Sequence, residues 1–149
     1  MKYEKIISDK LNELLIKNYD AESGYIKAMK EVDNTNLKEF FGKQAEQRSI
    51  FARQLRTEIL TYGEMPEDSG SLKGTMHRNW MTLKNTFSSN SEEVILEEAL
   101  RGEKASLEEY NNLLSNNNFP SRLIELLREQ RNVIENSINK VKIYEESLA

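Results

Sequence analysis

Four stretches of this chain repeat apolar residues at alternating steps of three and four, and each stripe is broken near its middle by a polar residue: Asn18, Arg48, Glu103 and Gln130. Such spacing returns side chains to one face of an α-helix, so each stretch reads as a core-facing helix. Helices of this kind bury their stripes by facing one another across a common seam. A polar group in that seam must be paired, must bind something, or must weaken the fold.

The first helix is expected over 3–32, with Ile7, Leu11, Leu14, Asn18, Ala21, Tyr25, Ala28 and Val32 in its stripe. Asp33 to Asn36 breaks the pattern, and Asn36 with Glu39 has the form of a capping box opening a second helix over 37–62. That helix presents Leu37, Phe41, Ala45, Arg48, Ala52, Leu55 and Ile59, and Gly63 is placed to end it. Residues 63–74 are the only Gly/Pro/Ser-rich stretch and read as a long crossover. Met76, Trp80 and Leu83 share a face within 75–87, which predicts a short extra helix there.

Asn90 with Glu93 forms a second capping-box pattern before a third helix over 91–114, carrying Leu96, Ala99, Glu103, Leu107, Tyr110 and Leu114. Pro120 suits the first turn of a fourth helix over 120–147, carrying Leu123, Leu127, Gln130, Ile134, Ser137, Val141 and Tyr144. Nothing marks a domain boundary within 1–149. Helix pair, crossover, helix pair is the plan of an all-α, ferritin-like antiparallel four-helix bundle in a single domain.

Composition narrows the function classes. The net charge is −4 with the two signs interspersed, so the basic footprint of a nucleic-acid binder is missing. There is no cysteine, hence no disulfide framework, thiolate metal site or thiol nucleophile. No stretch reaches the ~20 apolar residues of a membrane span. The expectation is a cytoplasmic protein with no nucleic-acid or membrane partner. One histidine and no phosphate-cradling glycine motif leave no triad or nucleotide loop to assemble.

The polar positions admit two chemistries. Bundles of this plan hold two metal ions with glutamates and paired Glu-x-x-His motifs, and no Glu-x-x-His exists here. Arg48 brings a fixed positive charge to the seam, whereas Asn18 and Gln130 are neutral. The expected arrangement is a buried Arg48–Glu103 pair, with Asn18, Gln130 and Tyr25 or Tyr110 satisfying the remaining groups. The alternative is an iron or manganese site assembled from Asp20, Glu22, Glu46 and Glu103. His77, Arg78 and Trp80 form a second cluster, either packing over the bundle end or offering an interaction surface.

The same residues carry a resemblance. Asp20 with Gly24-Tyr25, Gln47-Arg48 with Phe51, the run Pro66-Glu67-Asp68-Ser69-Gly70-Ser71-Leu72 followed by Gly74, His77-Arg78 and Trp80-Met81, and Arg101-Gly102-Glu103 with Tyr110 resemble a bacterial ferritin-like family of unknown function. The family pattern often has Cys-Glu where this chain has Ala99-Leu100, and a histidine on the last helix near the place of Asn136. The resemblance implies the bundle fold, and by analogy a stress-response or oligomeric role. The leading expectation is therefore a non-enzymatic, self-associating bundle protein without a cofactor. Two rivals stand beside it: a carboxylate-bridged iron or manganese protein with ferroxidase or peroxide chemistry, and a small-molecule binder with a pocket between Tyr25, Tyr110 and the crossover.

Overall fold

The computed structural model describes residues 2–69, 80, 92–116 and 118–148. Among them are four helices and no strand: α1 (Lys2–Glu31), α2 (Thr35–Thr61), α3 (Glu92–Asn116) and α4 (Ser121–Leu148). The short helix expected over 75–87 lies outside the described residues, apart from Trp80, and so does the Asn90 half of the second capping box.

The helix ends follow from local chemistry. Asn34, not Asn36, caps α2: its backbone is extended and its side chain accepts from the Leu37 N–H at 3.1 Å. The reason lies outside the segment. Glu92, at the start of α3, accepts from the Asn34 N–H at 3.1 Å and the Asp33 N–H at 3.3 Å, which fixes the link at 32–34 in its extended form. Gly63, at φ 78°, takes the left-handed conformation that ends α2. Pro120 precedes α4 and its carbonyl accepts from the N–H groups of Leu123 and Ile124.

α1 packs chiefly along α2, and α3 along α4; the two pairs meet more sparsely, α1 against α3 and α2 against α4. Beyond α2 the chain runs back beside α1. Asn12 accepts from the Glu67 N–H at 2.8 Å, and Tyr19 donates to the Glu67 carbonyl at 2.9 Å.

The interior divides in two. One apolar cluster gathers Tyr25, Val32, Leu37, Phe41, Trp80, Leu96 and Val141. The other gathers Ile7, Leu11, Phe51, Leu55, Ile59, Leu123, Leu127 and Ile134. Each large aliphatic or aromatic side chain buried there stabilises by about 1.5–3 kcal/mol. Between the two clusters lies a polar layer.

Candidate functional site

Each helix delivers polar side chains to that layer because each stripe carries one in register with its apolar neighbours. Asn18, Arg48, Glu103 and Gln130 are all buried, with at most 2% of their surface exposed. Hydrogen bonds join them into one line across four helices. Gln130 Nε2 donates to Gln54 Oε1 at 2.9 Å. Tyr110 donates to Gln130 Oε1 at 2.6 Å and accepts from Asn18 Nδ2 at 3.1 Å. Asn18 Oδ1 accepts from Arg48 Nη1 at 2.8 Å, while its second amide hydrogen goes to the Leu14 carbonyl. Arg48 Nη2 donates to Glu103 Oε1 at 2.5 Å, and Tyr25 donates to Glu103 Oε2.

The line has a definite electrostatic sense. Burial pushes the Tyr25 phenol well above its ordinary value, and the Glu103 carboxylate adds to this. Burial pushes Tyr110 up as well, with Arg48 opposing. Both phenols therefore stay neutral and act as donors. Burial would depress Arg48, but its partners, the Glu103 carboxylate first among them, outweigh this and hold the guanidinium charged. A buried charge-assisted pair with its neighbours' hydrogen bonds in place is the form in which burying two ions is tolerated.

Trp80 closes one side of the layer. Its ring lies 5.2 Å from that of Tyr25, and the Arg48 guanidinium sits 5.4 Å from the indole. A Cβ built on Gly102 would come within 2.8 Å of three Trp80 ring atoms. Gly102 thus leaves the space that the indole fills. Trp80 is 2% exposed, and its indole faces the Arg48–Glu103 pair. His77 and Arg78, its companions in the second expected cluster, lie outside the described residues.

The carboxylates of the metal alternative do not converge. Asp20 is buried, Glu22 half-buried and Glu46 exposed. Asp20 sits two residues from Asn18, and Glu46 two from Arg48, a rotation of about 200° around a helix with 3.6 residues per turn. Among the described residues no group of three or more histidines, aspartates or glutamates could hold a metal ion.

Sequence reasoning missed Gln54, which carries the line out to the exposed face of α2, and the partnership of Gly102 with Trp80. A glycine inside a helix costs about 1 kcal/mol relative to alanine, so Gly102 was itself a signal of close approach. It also missed Glu58, buried at the far end of α2, where it pairs with Arg122 at 3.2 Å.

The family model for "Domain of unknown function (DUF2383)" matches residues 6–116. The chain belongs to that family. No curated protein matches it. The matched span takes in Asn18, Tyr25, Arg48, Trp80, Gly102, Glu103 and Tyr110, whereas Gln130 and the whole of α4 lie beyond it.

Proposed function

We propose that this protein is a non-enzymatic, ferritin-like bundle of antiparallel helices that works by self-association, with an Arg–Glu layer standing where related scaffolds hold ions. The observation that supports this is the 2.5 Å contact between Arg48 and Glu103 in the buried seam. A carboxylate engaged by a fixed guanidinium on one oxygen and by a neutral phenol on the other has both oxygens partnered within the chain. The neighbouring positions, Asn18 and Gln130, are neutral amides whose oxygens are likewise occupied. The layer orders the four helices, and their outer faces remain for assembly.

Elemental analysis of protein purified without chelator, together with sedimentation across a concentration series, tests the reading. The expected result is no stoichiometric metal and a reversible shift from monomer to a small oligomer. Stoichiometric iron or manganese that disappears in Glu103→Gln would replace this reading with the carboxylate-bridged metalloprotein.

A further inference from the structure

The outward flank of α4 carries a pattern that the chain's own core uses only in part, through Leu126 and Val133, which pack against the second apolar cluster. Leu126, Glu129, Val133, Asn136, Lys140 and Ile143 succeed one another in steps of three and four, the spacing of a coiled-coil seam, beside the stripe that faces the core. Glu129, Asn136, Lys140 and Ile143 are exposed, Ile143 at 63%, and Leu126 and Val133 are partly buried. Neither Glu129 nor Lys140 has an ion pair among the described residues.

The flank borders the sparse α2–α4 contact, and a groove opens at each end of it. One, of about 670 Å³, includes Ile50, Gln54, Leu126 and Glu129. The other, of about 320 Å³, includes Phe40, Lys43, Lys140 and Ile143.

The order of residues along this stripe reads as its own complement. Reversed, an apolar residue falls opposite an apolar residue, the acid opposite the base, and Val133 opposite Asn136. Antiparallel helices seat each residue of one seam position against the other kind on the partner, which is the matching required here. A two-fold contact uses the same patch on both copies, so each favourable pairing occurs twice.

We propose that α4 is the dimer seam of this protein: a second copy docks antiparallel on the flank, with Leu126 against the partner subunit's Ile143 and Glu129 against the partner subunit's Lys140. This seam rests on the self-association already proposed and gives it a face and a register. Like charges brought together across such a seam disfavour the pairing, whereas exchanging both signs restores it.

Sedimentation of the full chain from about 1 µM to about 1 mM spans the affinities expected of such a contact. The wild type is expected to dimerise. Glu129→Lys alone and Lys140→Glu alone should each weaken association by about tenfold or more, and the double exchange should recover most of it. All three variants change exposed positions only, and circular dichroism should show unchanged helix content.

Register is tested separately, because the native chain has no cysteine. A mixture of Leu126→Cys and Ile143→Cys proteins should form a crossed disulfide on oxidation, and neither variant should do so alone. Within one chain these positions lie about 25 Å apart along the helix, too far to bridge. A dimer indifferent to the charge exchange, or lacking the crossed disulfide, overturns this seam and leaves self-association standing. A monomer at every concentration overturns both.

Discussion

Among the described residues Arg48–Glu103, Arg122–Glu58 and Lys17–Glu109 are ion pairs between helices, and the surroundings of the first two set them furthest apart. Arg48 and Glu103 have side chains 3% and 0% exposed, lie 2.5 Å apart, and are flanked by Asn18, Tyr25 and Trp80. Arg122 and Glu58 join α4 to α2 at 3.2 Å, but the arginine is 69% exposed. The chemistry is the same and the solvent is not. Water already reaches the guanidinium of the outer pair, so Arg122 is replaced at little cost, although Glu58 itself is buried. Nothing replaces a partner of the inner one, so its energetic importance shows only when half of it is removed.

The contrast is broken most directly by removing one acid. Glu103→Ala leaves a buried guanidinium and a phenol without their acceptor, and should destabilise by about 3–5 kcal/mol in urea unfolding. An unchanged denaturation midpoint would mean that Arg48 reaches water after all.

Alkali probes the same region. The folded chain keeps the phenolic protons of Tyr25 and Tyr110, whose values burial raises above 10, while the unfolded chain releases them. The stabilisation tied to those protons is fully present below about pH 10 and is lost as pH rises beyond it, by about 1.4 kcal/mol per unit for each tyrosine. Tyr62, near the outer pair, is pushed up to about 12 by burial and by Glu58, and being only partly buried it should contribute less. Unfolding free energies from urea titrations should be level below about pH 10 and fall with this slope above it; a flat profile would contradict the buried, neutral state of both phenols.

Gly102→Ala should cost about 1–3 kcal/mol, because the new methyl meets the rigid indole of Trp80 rather than the end of a flexible chain. Trp80 is the only tryptophan, so its fluorescence should shift toward the emission of a wetter indole in the same variant. Arg122→Ala should change stability by about 1 kcal/mol or less, and added salt should shrink the difference further. A loss as large as that of Glu103→Ala would erase the distinction between the two pairs.

How far the sequence announced this arrangement depends on the residue. The four stripes and the places of Asn18, Arg48, Glu103 and Gln130 were readable because a 3.6-residue period and burial go together. The wiring was not. Periodicity puts Tyr25 and Tyr110 near the layer, but only geometry assigns the first to Glu103 and the second to the amides. Asn34 prevailed over Asn36 as a cap through a contact with Glu92, more than fifty residues away in sequence. Trp80 showed its apolar face in the pattern but not its depth, which depends on the missing side chain of Gly102.

The layer lies between two oily compartments and touches all four helices through donors and acceptors that fit in one order only. Sliding any helix by a turn, about 5.4 Å, would carry its polar rung into hydrocarbon and bring a Leu or Phe against the abandoned guanidinium. Interchangeable greasy rods could settle at several offsets. This protein carries a key midway along each rod, and the keys admit a single alignment.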